Sequence, residues 1–289
     1  MTRDTSLDEL PPLPILLNGI YADVFKKVDV LISSVRILDP AHNMVHIRAV
    51  TDHVRRALAA EPLDPHREAL LVLAALLHEA DDPKLFGTSD DANTRKILSD
   101  CLTSDDGAEG DTGATLGEAS AVASEVCEII SLVSARKNKD AGVAPGSEWK
   151  LIVRDADRIE AIGEVGIARC YAFNQKVGSP LYRPTTPRAV TQEELWAIAT
   201  PARFAAYSGD SDSMIDHYYD KLLHLSRCGS GNSYLEAKQQ ARLQEMIDFV
   251  LAFGKTGEVD VPALEAYKDK HCLKKDAQRG MKRPAPSIE

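Results

Sequence analysis

His46, the adjacent pair His78-Glu79 and the acids Asp155 and Asp157 are the residues here whose types and spacing could do chemistry. Imidazole nitrogens mixed with carboxylate oxygens form a donor set for a divalent cation. The apolar stretch Ala74–Leu77 runs directly into His78, Glu79, Asp81 and Asp82. A carboxylate at the end of a buried helix costs several kcal/mol, order of magnitude, unless positive charge meets it, and a metal ion would do so. Successive helical positions are ~100° apart, so His78 and Glu79 can both reach one ion. Taken alone, the same segment reads equally well as a helix emerging into solvent. His46, on the core-facing side of a preceding helix, supplies the second imidazole of a mixed His/carboxylate site.

The late acids divide. Ile152, Ala156, Ile159, Gly163 and Gly166 form an apolar stripe, and Asp155 lies beside it. Asp157 falls about 200° from Asp155 round the helix, so one of the two, not both, faces a given site.

His46, then Leu77-His78-Glu79, then Ala156-Asp157-Arg158-Ile159 resemble the H…HD…D signature of HD-domain phosphohydrolases. Three longer strings, VRDADRIEAIGEVGIAR (153–169), SPLYRP (179–184) and MIDHYYDKLLHL (214–225), resemble the compact stand-alone branch that includes bacterial nucleotide pyrophosphohydrolases. The likeness runs from Val24 to Phe253. It implies one divalent metal held by His46, His78, Glu79 and a late Asp. The A-D-x-I string points to Asp157, and helical phase points to Asp155; Asp157 is favoured. The doublet departs from the pattern, because Glu79 stands where the family has Asp. Glutamate is one methylene longer, which predicts altered or reduced activity. No histidine falls between His78 and His217, where two-metal members, including the di-iron oxygenases, carry extra ones. The expectation is a mononuclear hydrolytic site.

What the resemblance implies for mechanism is a metal-activated water and a polarised phosphoryl oxygen. Asp82, with Asp81 behind it, would orient or deprotonate that water. Lys84, Arg48, Arg158 and Lys221 are candidates to neutralise phosphate oxygens, and Tyr182 to line the pocket or stack on a base; any of them also reads as an ordinary surface or packing residue. The reaction expected is hydrolysis of a nucleoside triphosphate to monophosphate and pyrophosphate. A nucleotide phosphomonoesterase and a non-catalytic metal- or nucleotide-binding protein are the alternatives. The cation expected is Mn2+, with Mg2+, Fe2+, Co2+, Ni2+ and Zn2+ admitted by the same ligands.

Helices must position these groups. Apolar residues recur at helical spacing over Ile15–Leu38, Met44–Ala60, Glu68–Ala80, Thr88–Leu102, Glu118–Ser134, Glu148–Phe173, Gln192–Tyr207, Ser213–Leu225 and Tyr234–Phe253, and no strand-like alternation intervenes. The prediction is an all-α fold: a flexible segment 1–14, one HD-type helical bundle over 15–255, and a tail over 256–289. Residues 103–117, acidic and Gly-rich, read as a surface insertion.

Of the 289 residues, 44% are hydrophobic and 27% charged, an ordinary globular balance. The formal net charge of −10 disfavours binding to a nucleic-acid polymer, which needs clustered Lys and Arg. The five cysteines are scattered without a CxxC pair, so reduced thiols are expected. The N-terminus has no apolar leader pattern and no segment reads as a membrane span, which predicts a cytoplasmic protein. The expected partner is a small phosphorylated molecule, without nucleic acid or membrane, in a monomer or homodimer.

Overall fold

The computed structural model describes residues 10–35, 43–87, 90–102, 117–133, 143–226 and 228–273. The acidic insertion lies outside these residues except for Gly117, and so does the end of the tail. Every regular element among the described residues is helical. The fold is all-α. The chain divides into two compact units, residues 1–160 with 226–241, and residues 161–225 with 242–289.

The first unit is organised round one buried helix. After a 3-10 turn at Ile15–Leu17 come α1 (Ile20–Ser33), α2 (Met44–Ala60) and α3 (Pro65–Leu77). Asn43 caps α2, its side chain accepting the Val45 and His46 amides at 3.0 and 3.1 Å. Asp64 caps α3, with Pro65 in its first turn, where a missing N–H costs nothing. Ala69 to Leu77 on α3 are all fully buried. A helix apolar on every face can only be central, and α3 packs against α1, α2 and α6 (Ala119–Ser131). Each fully buried Leu contributes about 1.5–3 kcal/mol of hydrophobic stabilisation. The helix stops at His78, so His78 and Glu79 lie in the turn after α3 rather than in its last turn. A short α4 (Pro83–Phe86) and α5 (Ala92–Leu102) follow.

Expected spans break where capping chemistry intervenes. The pattern over Glu148–Phe173 resolves into a 3-10 turn (Glu148–Leu151), α7 (Ile152–Ile159) and α8 (Gly163–Val177). Gly163 has φ +71°, which a right-handed helix cannot pass through. The Gln192–Tyr207 span splits into α9 (Gln192–Ile198) and α10 (Pro201–Ala206), because Thr200 and Pro201 start a new helix. Ser213–Leu225 becomes α11 (Met214–Asp220) and a 3-10 turn. Residues 233–241 of α12 (Ser233–Thr256) belong to the first unit and 242–256 to the second.

Within the second unit, Tyr218 and Tyr219 are fully buried, and Arg203 pairs with both Asp216 and Asp220. Where a tail was expected, α13 (Val261–Lys268) packs on α8. Leu264 is buried there, and Glu265 accepts from Tyr171 Oη at 2.6 Å and from Gln175 at 2.8 Å. No helix among the described residues is long and apolar enough to cross a membrane.

Candidate metal centre

Three elements of the first unit bring their polar groups to one point: the capped first turn of α2, the turn after α3, and the last turn of α7. His46 Nε2 and His78 Nε2 are 3.3 Å apart. Asp157 Oδ1 lies 3.1 Å from the first and 4.0 Å from the second. Glu79 Oε1 lies 3.7 Å from His46 Nε2 and 3.4 Å from His78 Nε2. Two nitrogens each ~2.1 Å from one ion, at tetrahedral or octahedral angles, stand roughly 3.0–3.4 Å apart. The two imidazoles therefore have the separation of ligands sharing a cation. His46, His78 and Asp157 form a group whose donor atoms all lie within 4.8 Å of one another, and Glu79 Oε1 is within the same reach of both imidazoles.

Second contacts fix how the ligand atoms point. His78 Nδ1 donates to the Ala75 carbonyl at 2.8 Å, an acceptor only, so Nδ1 carries the proton and Nε2 is directed at the site. The backbone of His46 is held by the Asn43 cap. The side chains of His46, His78 and Glu79 are 3%, 2% and 7% exposed, whereas that of Asp157 is 28% exposed. Solvent therefore reaches the cluster at Asp157.

The electrostatics is that of a site built to hold positive charge. Burial alone would lower the His78 pKa, but Glu79 and Asp157 outweigh it and raise it to about 9. For Asp157, burial pushes upward, and His46 and His78 overcome it to leave the carboxyl below the usual range. These residues fit a divalent cation: two neutral nitrogens and one or two carboxylates, set at ligand spacing.

The other candidates have surroundings of their own. Asp155 is fully buried and turned onto the segment 228–230; its Oδ2 accepts the Gly229 and Ser230 amides at 2.9 and 2.7 Å and the Cys228 thiol at 3.2 Å. Its Oδ1 takes Arg154 Nε at 3.3 Å. Asp81 accepts the Asn93 and Thr94 amides, both at 2.9 Å, and so starts α5. Asp82 is half-buried, three residues after Glu79. Arg48 is exposed and lies over the Phe25 ring at 4.8 Å, and Arg158 is buried, 2% exposed. The Lys84 side chain lies outside the described residues. Tyr182 and Lys221 belong to the second unit. Tyr182 packs on Phe253 at 5.2 Å, and Lys221 Nζ stands 5.9 Å from the Tyr207 ring.

One cluster escaped the sequence reading. His53 Nε2 meets Glu160 Oε1 at 3.2 Å, and His53 Nδ1 meets Tyr234 Oη at 2.8 Å. A signal existed: His53 follows His46 by two helical turns, and Glu160 follows Asp157 by three residues.

No family model matches the chain. An uncharacterized protein of Acanthamoeba polyphaga mimivirus is 40% identical over 218 residues, covering 73% of this chain and 88% of that protein. YpgQ of Bacillus subtilis is 27% identical over 227 residues, 78% of this chain and 87% of YpgQ. The crystal structure of YpgQ in complex with ADP superposes with a TM-score of 0.53 over 87% of this chain and all of that one, at 21% identity. An HD-superfamily hydrolase from Bacillus thuringiensis gives a TM-score of 0.53 at 22% identity, covering 81% of this chain and 95% of the other.

Proposed function

We propose that the chain, which shares the helical fold of an HD-superfamily hydrolase, is a metal-dependent phosphohydrolase of small phosphorylated metabolites, cleaving a nucleoside triphosphate to monophosphate and pyrophosphate. The observation that carries the reading is the convergence of His46, His78 and Asp157 at ligand spacing. The ADP bound to YpgQ supports a nucleotide as the substrate class.

His46, His78 and Asp157 would hold the cation, with Glu79 beside both imidazoles. A cation there supplies Lewis acidity and a water of lowered pKa. Asp82 would be the group to orient a water at the site or take its proton, since Asp81 is occupied by the start of α5. Arg158, one residue after Asp157, would contribute permanent positive charge for the phosphate, with Arg48 and Lys84 as further candidate contacts. Mn2+ is the first cation to try, because one or two carboxylates join the two imidazoles.

The test is an assay of the purified protein with Mn2+ against a panel of nucleotides, resolving phosphate from pyrophosphate. Pyrophosphate release supports the reading, and phosphate release alone makes the protein a phosphomonoesterase. Release of neither, with metal confirmed bound, overturns both in favour of a binding protein. Glu79 motivates that last outcome, since it stands where the family that the chain resembles carries Asp. In that case Glu79→Asp is the variant expected to gain turnover.

A further inference from the structure

The carboxylate most open to solvent in the cluster, Asp157, sits on the element least able to place it. Helix α7 has eight residues, follows a 3-10 turn and ends at Glu160. A helix that short is marginal by itself, so tertiary contacts set its position. Ile152, Val153, Ala156 and Ile159 seat its inner face in the core, but an apolar face resists rotation about the helix axis weakly. Two other acids resist it strongly. Asp155, two residues before Asp157, takes the Gly229 and Ser230 amides. Glu160, three residues after it, takes His53 of α2, and Tyr234 holds the far nitrogen of that ring. The two positions are roughly 140° apart round the axis, so together they define its angle as well as its depth. A Cβ at Gly229 would meet the end of the Arg154 side chain, which would have to shift to make room.

We propose that Asp155 and Glu160 are positioning residues that hold Asp157 at the metal site from either side. Glu160 does so by tying α7 to the same helix, α2, that carries His46. The acids of this segment thus divide the labour, with Asp157 toward the cation and its two neighbours fixing where it stands. The inference rests on the metal site proposed above.

Co2+ titration of the full-length protein, followed by visible d–d absorption, tests it. Wild type is compared with His46→Ala, Asp155→Ala, Glu160→Ala and the conservative Asp155→Asn and Glu160→Gln. The expected result for Glu160→Ala and Asp155→Ala is Co2+ binding about 10–100-fold weaker with an altered spectrum, the effect typical of groups that orient ligands. Glu160→Gln and Asp155→Asn keep an acceptor at the same place and should return toward the native affinity and spectrum. If either alanine variant does not fold, His53→Phe carries the test for Glu160, because it keeps a ring but removes the nitrogen that meets Glu160. Native affinity and spectrum in the folded alanine variants or in His53→Phe, with binding lost in His46→Ala, would overturn this inference and leave the metal site standing. A native protein that takes up no Co2+ overturns both.

Discussion

Asp157 and Asp155 differ in their partners, and those partners decide which acid is available to a cation. Asp155 already accepts two backbone amides, a thiol and a guanidinium, while Asp157 faces two imidazoles. His46→Ala should abolish stoichiometric metal binding and lower turnover by more than about 100-fold, since altering even groups that merely orient a ligand costs 10–100-fold; isothermal titration with Mn2+ and the nucleotide assay read the two effects. The histidines were legible in the sequence because few other roles suit two imidazoles placed against carboxylates. Between the acids the A-D-x-I string favoured Asp157, whereas helical phase favoured Asp155, because the partners of Asp155, Gly229 and Ser230, lie far along the chain. His78 adds a pH dependence. Its folded pKa of about 9 stands above the ordinary imidazole value of 6.5, so in the metal-free protein its contribution to stability is fully present below about pH 6.5 and is lost as pH rises through 9. Denaturant melts of the apo form across pH 6 to 10 should show that decline. Metal binding displaces the same proton, so affinity should rise over the same range.

At the scale of elements, the site depends on where helices begin and end. Asn43→Ala removes the acceptor for the Val45 and His46 amides and should cost about 1 kcal/mol of stability in urea melts, with weaker metal binding because the first turn of α2 carries His46. Leu76→Ala, in the wholly buried α3, should cost about 2–5 kcal/mol. Periodicity found α2 to the residue and α3 to within a turn, since each buries a strong apolar stripe. It ran through the break at 160–162, because Ala161 and Ile162 continue an apolar pattern that the left-handed Gly163 ends. It passed over α13, whose hold on α8 is one buried leucine and a set of polar contacts round Glu265. That kind of docking leaves little periodic signal.

For the molecule as a whole, a bound cation should act as a thermodynamic ligand of the native state. Metal at 100 times its Kd adds about 2.7 kcal/mol of stability, so chelation should lower the melting temperature and readdition restore it. An unchanged melt with and without chelator would count against a structural contribution from the ion. The all-helical architecture was readable from composition and period. The division into two compact units was not, because helix α12 runs through the boundary at 241/242 without a change in pattern. The segment that braces Asp157 also carries a sulfur. Burial first, then the Asp155 carboxylate, pushes the Cys228 thiol up to about 11. Near neutral pH it is almost wholly protonated and therefore a poor nucleophile toward alkylating agents and peroxides. Unfolding would return it to an ordinary thiol, so the rate at which iodoacetamide labels Cys228 should report, at a single atom, how often the brace round the metal site comes undone.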